Sequence, residues 1–490
     1  MSSRRQFLSA ALIGLTAKAE RIISGSFVND AFPLGHKLRD RTLVVAPKQT
    51  LKVPVVIVGG GIAGLSAAWR LDKKGFRDFV LLEMEHEAGG NSRSASNEIT
   101  SYPWAAHYIP VPGKSTVLVR ELMEEFGVLE NGQWNERYLC YSPQERLFLH
   151  GRWQEDIEPL DGSTSKDREQ MRRFSGLVRE HERTGQFTVP MELGARPSPL
   201  DRISMRDWMN AQGFDSKYLR WYIDYACRDE YGGAMDTISA WAGMYYFAAH
   251  NEHDDKGPIT QPEGNGWIVK RLVQKLSRYI RTGAPVAAIR RAGNKLRVQT
   301  PAIEYVCDTV IFAAPLMLAK YLMEDAPPVA TQYSPWVTAN VTLDRMPRER
   351  GLDLAWDNVI YDSPSLGYVV ATHMTLRSRI DRSVWTWYAA VDSRKTLLEQ
   401  PWEHWRDYIL EDLSRAHPDI RDCVSKIEVM RFGHAMARPV PGSIFSDIRL
   451  RLTKPHGRVL FAHSDVSGFS VFEEAQYRGV MAADQALRKV

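Results

Sequence analysis

Three glycines near residue 60 have the spacing of a phosphate-binding turn. They form the pattern Gly59-x-Gly61-x-x-Gly64. In such a turn the first glycine allows a tight bend, the second lets the backbone approach a pyrophosphate, and the third lets a helix pack against a strand. The helix that follows presents unpaired N–H groups and a partial positive charge to the phosphates. Glu83 follows Gly64 by 19 residues, where a carboxylate can bind a ribose hydroxyl pair. The pattern therefore predicts a dinucleotide site.

The segments around these glycines predict the strand–helix–strand unit that a dinucleotide site needs. Residues 53–58 are a run dominated by β-branched side chains, which is typical of a buried parallel strand. Apolar residues then recur at helical spacing from Ile62 to Leu71, and a second apolar run ends at Glu83. A strand, a glycine turn, a helix and a strand within about 30 residues form a βαβ unit.

Two further features favour FAD over NAD as the dinucleotide. A second glycine turn, Gly89-Gly90, follows the second strand, and Arg93 comes shortly after it. The end of the chain returns to a strand, to Asp465 and to a helix that starts near Phe472. A chain that leaves the nucleotide domain and then comes back suits a long cofactor that is bound across both regions.

The remaining pattern predicts an α/β fold, with a Rossmann-like FAD-binding domain (parallel sheet) and an inserted α+β substrate-binding domain. Further helices are predicted at residues 116–126, 239–249, 267–280 and 472–487. Further strands are predicted at residues 286–289, 296–300, 309–313, 337–343, 368–371, 385–390 and 459–462. The FAD-binding domain is assigned residues 53–100, 260–330 and 445–490. The substrate-binding domain, with a helical insertion, is assigned residues 101–259 and 331–444.

Together these motifs resemble the flavin-containing amine oxidase superfamily, which includes polyamine and monoamine oxidases, protoporphyrinogen oxidases and carotenoid desaturases. The resemblance extends to three more segments: residues 264–267, with the sequence Gly-Asn-Gly-Trp, Val286, and residues 308–315. It covers most of residues 53–490, and its sharpest motifs lie in the predicted FAD-binding domain.

The resemblance implies a role for each of these residues at the cofactor. Glu83 is expected to bind the adenosine ribose, and Arg93 to lie near the isoalloxazine and the phosphates, beside Gly90. Val286, on a strand, is expected at the adenine side, and Asp465 at the ribityl–pyrophosphate region. The last helix is expected to point its N-terminus at the flavin pyrimidine, where it stabilises negative charge on the reduced ring.

The resemblance also directs attention to three catalytic candidates. Many members carry a lysine that contacts flavin N5 through a water, but the corresponding residues 334–341 hold no lysine, and Asn340 is the nearest polar candidate. His434 stands about where some members attach FAD through a cysteine, so cysteinyl attachment is not expected. His107 fits either an approach to the flavin or substrate, or a structural role.

Four other polar or aromatic clusters each have two interpretations. His373 follows a predicted strand, where it lines the pocket or packs in the core. Residues 250–254 contain two histidines and two carboxylates, but a solvated charge run fits them better than a metal site. The charged residues 228–233 fit a contact with a cationic substrate or a capped helix end. Residues 385–388 carry three aromatic side chains on a strand, which fits a core better than a cage in front of the flavin.

Three functions are compatible with these motifs. The first is FAD-dependent oxidation of an amine, including polyamines, with hydride transfer to flavin N5 and with dioxygen or another electron acceptor. The second is C–C dehydrogenation or desaturation of a cyclic or lipid-like substrate, which the missing lysine favours. So does the absence of tyrosine in residues 433–436 and 468–471, where many members place a pair. The third is a non-catalytic flavoprotein that serves as a binding partner. A net charge of +4 without a Lys/Arg tract argues against nucleic acid.

The first 30 residues are interpreted as a twin-arginine signal peptide and linker. Arg4 and Arg5 precede Gln-Phe-Leu, a short apolar stretch spans residues 8–17, and residues 17–19 (Ala-Lys-Ala) offer a small-x-small cleavage site. The alternative is a basic tail with an accidental arginine pair. The interpretation predicts a partnership with the twin-arginine export machinery and a periplasmic or exported protein, and the alternative predicts a cytoplasmic one.

Overall fold

The computed structural model describes residues 21–28, 32–249, 257–349, 351–375, 377 and 379–489. Within these residues the strands are, in chain order, β1 (Ser24–Phe27), β2 (Gln49–Lys52), β3 (Val55–Val58), β4 (Phe79–Leu82), β5 (Ser94–Ser96), β6 (Ser101–Pro103), β7 (Leu129–Glu130), β8 (Gln133–Trp134), β9 (Glu145–Leu149), β10 (Arg152–Glu155), β11 (Ile280–Arg281), β12 (Ala288–Ala292), β13 (Lys295–Gln299), β14 (Ile303–Cys307), β15 (Thr309–Phe312), β16 (Gln332–Leu343), β17 (Asp357–Ile360), β18 (Tyr368–Val370), β19 (Ser383–Ala390), β20 (Val424–Arg438) and β21 (Val459–Phe461). The α-helices are α1 (Phe32–Arg39), α2 (Ile62–Lys73), α3 (Val117–Glu125), α4 (Ser165–Arg183), α5 (Met205–Ala211), α6 (Lys217–Tyr231), α7 (Ala240–Ala248), α8 (Gly266–Leu276), α9 (Ala319–Leu322), α10 (Arg394–Glu399), α11 (Trp402–Ser414), α12 (Ile420–Cys423), α13 (Asp447–Leu452) and α14 (Phe472–Leu487).

A five-stranded parallel sheet, in the order β11-β4-β3-β15-β21, positions the glycine turns. Four of its strands are buried along their whole length, because each is an apolar run covered on both faces. The helices α2 and α14 pack together against it. A Cβ on Gly479 would lie 2.1 Å from the carbonyl oxygen of Ala63, so the two helices approach backbone to backbone. The parallel sheet confirms the predicted Rossmann-like class.

A second, eight-stranded sheet has the order β1-β20-β16-β19-β18-β17-β9-β10. Its centre is the long antiparallel pairing of β16 with β19 and β20. At one edge of this sheet β1 pairs in parallel with β20. A separate, four-stranded sheet has the order β12-β13-β14-β2. The helices α4 to α7 contribute most of a separate aromatic and aliphatic core beside the large sheet. This second layer supplies the walls of the cavity described below.

Most predicted elements are present, and their bounds differ in a few places. The last helix, α14, has the predicted bounds, and α3 and α7 each begin one residue later and end one residue earlier than predicted. The prediction that Val286 lies on a strand is wrong, because β12 begins only at Ala288. The helix predicted to reach residue 280 ends at Leu276 and continues as a short 3₁₀ turn. Strand β16 begins five residues earlier than predicted.

Two predictions lie outside the described residues: the twin-arginine signal in residues 1–20 and the charged run at residues 250–254. Among the helices of the described chain, none combines the length and the apolar character needed to cross a membrane. The proposed domain boundaries stay a prediction. The five-stranded sheet does draw its strands from three separate stretches of chain, residues 55–82, 280–312 and 459–461.

Candidate functional site

The first glycine turn has three glycines with three different surroundings. Gly59 has φ +104°, and a Cβ there would lie 2.8 Å from the amide nitrogen of Ala314. A Cβ on Gly64 would lie 1.9 Å from the carbonyl oxygen of Gly59, so only glycine lets α2 pack this close to the turn. A Cβ on Gly61 would meet no protein atom within 4 Å. The open space therefore lies at the N-terminus of α2, where an anion is stabilised.

The second glycine turn packs directly onto the first. The N–H of Gly89 donates to the carbonyl oxygen of Gly60 at 2.8 Å. Gly89 and Gly90 have φ values of +132° and +56°, which residues with a side chain rarely adopt. A Cβ on Gly90 would lie 3.3 Å from Cα of Gly61. The two turns thus form one backbone surface, a contact that their sequence positions do not reveal.

Glu83 ends the second strand of the βαβ unit with its carboxylate turned towards the first turn. The N–H groups of Gly60 and Glu85 donate to its two oxygens at 2.6 and 2.8 Å. Burial raises the pKa of Glu83, and these two hydrogen bonds oppose that rise. A carboxylate has about four acceptor positions, so two remain for other hydroxyl donors. The N–H of Ala284 donates to the carbonyl oxygen of Glu83 at 2.8 Å, and Val286, two residues further along the chain, is buried.

Arg93 lies beside both turns and is already paired. Its guanidinium donates to the carboxylate of Glu85 and, at 3.2 Å, to the carbonyl oxygen of Gly90. Its side chain covers Gly89, whose Cβ would lie 3.0 Å from Cγ of Arg93. The described structure therefore places Arg93 between the second turn and the Glu83 end of the site.

Asp465 carries a carboxylate that is buried and only half satisfied. Its Oδ2 accepts the N–H of Leu316 at 2.9 Å and the hydroxyl of Tyr333 at 2.5 Å. Its Oδ1 accepts no hydrogen bond in the described chain, although Nδ1 of His463 lies 3.1 Å away. Burial opposes ionisation of Asp465, but His463 and these hydrogen bonds outweigh it and lower the pKa. Oδ1 keeps acceptor capacity for a polar ligand.

The amide of Asn340, the polar candidate for the chemistry, is engaged inside the sheet. The Asn340 side chain is 1% exposed, donates to the carbonyl oxygen of Pro103 at 3.0 Å and accepts the hydroxyl of Thr386 at 2.7 Å. Both polar ends have partners, on β6 and β19, and the catalytic role of Asn340 stays a prediction. Asn340 joins β16 to β6 and β19.

The two histidine candidates contact different side chains. The ring of His434 meets Tyr333 edge-on, with centroids 5.6 Å apart, and its Nε2 bonds to the guanidinium of Arg394. Burial and Arg394 lower the pKa of His434 to about 4. The ring of His107 contacts Tyr388 and Trp356, with centroids 5.1 and 5.6 Å away. Burial lowers the pKa of His107 to about 4, so both rings are neutral at neutral pH.

A cavity of about 190 Å³ opens beyond His107. Its walls are formed by Tyr108, Pro110, Val111, Glu145, Ile157, Tyr225, Asp229, Tyr246, Pro258, Trp356, Asp357 and Tyr388. Three of these side chains are carboxylic acids and five are aromatic. The N–H of Ala106, one residue before His107, donates to the carbonyl oxygen of Asn91, next to the second glycine turn. The cavity therefore lies beside the surface that the two turns form.

Burial, together with nearby carboxylates, raises the pKa of all three carboxyl groups of the cavity. Glu145 and Asp357 are register partners on the parallel strands β9 and β17, and Asp229 reaches the cavity from α6. Burial, with repulsion from Asp156 and Asp229, raises the pKa of Glu145 to about 7. Burial, with repulsion from Glu230, raises the pKa of Asp229 to about 7. Burial, with repulsion from Glu145 and Asp229, holds the pKa of Asp357 well above its usual range. A bound cation would relieve this repulsion.

The sequence profile described as flavin containing amine oxidoreductase matches residues 62–487. The chain belongs to this family.

Curated relatives of this flavin amine oxidoreductase are distant. The chain is 22% identical over 278 residues to "Probable flavin-containing monoamine oxidase A" of Dictyostelium discoideum, which covers 54% of this chain and 58% of that protein. It is 32% identical over 142 residues to "Baeyer-Villiger monooxygenase peniC" of Penicillium patulum, covering 28% of this chain and 22% of that protein. The matches thus span less than two thirds of the length of these relatives.

Solved structures share the fold over nearly the whole described chain. A single-substitution variant of putrescine oxidase has a TM-score of 0.71 at 17% identity, covering 90% of this chain and all of that one. Cyclohexylamine oxidase from Brevibacterium oxydans IH-35A has a TM-score of 0.69 at 14% identity, covering 89% of this chain and 99% of that one. At these identities the likeness shows the fold alone.

FAD, the cofactor of this family, fits the residues that the flavin amine oxidoreductase presents. The space in front of Gly61 at the start of α2 suits a pyrophosphate, and Glu83 keeps acceptor positions for a ribose. The unpaired Oδ1 of Asp465 offers an acceptor at the other end of the same surface. The N-terminus of α14 is close to that end, since Ser467 connects to Glu474 in its first turn. When bound, FAD supplies a hydride acceptor, flavin N5.

Sequence reasoning missed several residues of the site. Tyr333, Glu145 and Asp357 carry no motif, and only the fold brings them to the site. The charged stretch at residues 228–233 did contain a signal, because Asp229 lines the cavity. The aromatic strand β19 is mixed: Trp385 and Trp387 pack in the core, whereas Tyr388 faces the cavity. Nε2 of His373 donates to the carbonyl oxygen of Tyr141 at 2.9 Å.

Proposed function

We propose that this enzyme oxidises a cationic amine, of the polyamine type, by hydride transfer from the carbon next to nitrogen to flavin N5. The observation that carries the proposal is the acidic, aromatic cavity beside the glycine turns. Its lining includes Glu145, Asp229 and Asp357 but no Lys, Arg or His among the described residues. An ammonium group in this cavity is attracted both by the carboxylates and by the faces of the aromatic rings.

The number of carboxylates bears on the charge of the substrate. One ammonium group is neutralised by one carboxylate, whereas this cavity holds three carboxyl groups, whose pKa values are raised by burial and by nearby carboxylates. A bound cation favours their negatively charged forms. A substrate with two or more ammonium groups compensates more of that charge than a monoamine does. Solved structures of the same fold include putrescine oxidase bound to putrescine, a diamine. That likeness supports the proposal, although at 15% identity it shows only the fold.

The same cavity disfavours an uncharged, lipid-like substrate. Packing hydrocarbon against Glu145, Asp229 and Asp357 would leave carboxyl groups without water or a counter-charge, which costs several kcal/mol. The walls contribute orientation and exclusion of water, which this reaction needs more than an acid or base. The final electron acceptor in the proposal is dioxygen or another oxidant.

Replacement of one carboxylate tests the proposal. We expect Glu145→Gln to raise the putrescine concentration that half-saturates anaerobic flavin reduction by about tenfold or more, since a hydrogen bond to a charged group contributes roughly 1.5–3 kcal/mol. The matched control is Glu155→Gln, an exposed carboxylate at the end of β10. If the same putrescine concentration half-saturates flavin reduction in wild type and Glu145→Gln, the cavity does not recognise the substrate.

A further inference from the structure

The hydroxyl group of Tyr333 connects the eight-stranded sheet to the carboxylate of Asp465. The hydroxyl of Tyr333 donates to Oδ2 of Asp465 at 2.5 Å and accepts the N–H of Met317 at 3.4 Å. Tyr333 belongs to β16 of the eight-stranded sheet, whereas Asp465 follows β21 of the five-stranded sheet. The residue therefore bridges the two sheets at the cofactor site.

The surroundings of Tyr333 leave its hydroxyl one orientation. Burial and the neighbouring Asp465 raise the pKa of Tyr333 above its usual range, so the hydroxyl keeps its proton and donates. The ring is held from the side by His434, which lies edge-on to it on the neighbouring strand β20. His434 is in turn bonded to Arg394 at the start of α10.

The arrangement of donors around Asp465 is asymmetric. Tyr333 and the N–H of Leu316 both donate to Oδ2, whereas Oδ1 accepts no hydrogen bond within the described chain and lies 3.1 Å from Nδ1 of His463. Because two donors fix one oxygen, the carboxylate cannot rotate without losing a charge-assisted hydrogen bond. Its other oxygen is thereby held in one direction.

We propose that Tyr333 is a positioning residue for FAD: it fixes Oδ2 of Asp465 so that Oδ1 is presented to the cofactor. Tyr333 does not touch the reacting atoms, and it acts through Asp465. This role concerns the cofactor and is independent of which substrate the enzyme oxidises. Tyr333 also connects the eight-stranded sheet to the FAD site, because a movement of β16 moves the hydroxyl that orients Asp465.

A double-mutant cycle on FAD affinity tests this role. The dissociation constant of FAD is measured by titrating apoprotein with FAD for wild type, Tyr333→Phe, Asp465→Asn and the double variant. We expect Tyr333→Phe to raise the dissociation constant about tenfold, since it removes a hydrogen bond to a charged group. In the Asp465→Asn background the same substitution is expected to change it less than about twofold, because coupled residues are not additive.

The matched control is Tyr279→Phe, which also removes a buried Tyr–Asp hydrogen bond, at 2.9 Å to Asp72 in the last turn of α2. Circular dichroism of each apoprotein shows whether the variant folds, and the absorption spectrum of bound FAD reports the cofactor environment. We expect that spectrum to shift in Tyr333→Phe and not in Tyr279→Phe. Equal FAD affinity in Tyr333→Phe and wild type would overturn the proposal. It would also be overturned if the double variant raised the dissociation constant of FAD by the product of the two single effects.

Discussion

Substitution of two neighbouring glycines separates cofactor binding from folding. At Gly61 a new Cβ meets no protein atom within 4 Å, and φ of −73° is ordinary for any residue. Gly61→Val is therefore expected to leave the apoprotein as stable as wild type, within about 0.5 kcal/mol. At Gly64 a new Cβ would lie 1.9 Å from the carbonyl oxygen of Gly59. Gly64→Ala is expected to damage the fold itself, with or without FAD.

The magnitudes follow from the contacts. An ordinary contact begins at 3.4 Å, so Gly64→Ala forces α2 and the turn apart by roughly 1.5 Å. Since α2 is packed backbone to backbone against α14, we expect a loss of about 3 kcal/mol or more of unfolding free energy. For Gly61→Val the pyrophosphate is displaced instead. Loss of two charge-assisted N–H contacts, at roughly 1.5–3 kcal/mol each, weakens FAD binding about a hundredfold or more.

Two measurements check these expectations on the same proteins. Thermal or urea unfolding of the apoprotein gives the stability of each variant, and titration with FAD, followed by the flavin spectrum, gives its affinity. We expect Gly61→Val to be stable and colourless, and Gly64→Ala to be unstable. A yellow Gly61→Val protein with wild-type FAD affinity would refute the placement of the pyrophosphate. A Gly64→Ala apoprotein of wild-type stability would refute the packing argument.

Three further predictions concern the ribose, the pH dependence and export. Glu83→Ala is expected to weaken FAD binding about tenfold while the chain stays folded, and unchanged retention of FAD on dialysis would count against its role. Because the pKa values of Glu145 and Asp229 are raised to about 7, both carboxyls lose charge as the pH falls through about 7. Below that pH, the amine concentration that half-saturates flavin reduction should rise by about tenfold per pH unit for each carboxyl that gains a proton. A half-saturating concentration that does not change with pH would contradict this interpretation. Exchange of Arg4 and Arg5 for lysine is expected to keep the protein in the cytoplasm, as cell fractionation can check, and continued export would disprove the signal.

The cofactor half of the site could be predicted because its signals are local in sequence. Gly59, Gly61 and Gly64 serve one turn, and Glu83 ends the strand that follows the helix, so their spacing encodes their geometry. Asp465 could be placed because a strand and a helix flank it. The contact between the two glycine turns could not be predicted, since a spacing pattern carries no information about which turns touch.

The substrate half depends on contacts between distant segments. Glu145, Asp229 and Asp357 come from β9, α6 and β17, and only the pairing of β9 with β17 makes two of them neighbours. Polarity makes Asn340 a candidate for the chemistry, but its hydrogen bonds to residues of β6 and β19 become visible only in the fold. Polarity on a strand does not show which side chains find partners, and the long-range pairing of a sheet cannot be read from one sequence.

The most direct test of amine oxidation is the visible spectrum of the purified holoenzyme, followed anaerobically while putrescine, spermidine and simple primary amines are added in turn. We predict that the oxidised flavin band bleaches with an amine, and that diamines and polyamines act at lower concentration than monoamines. A flavin band that none of these amines bleaches would contradict amine oxidation, while leaving the FAD site in place.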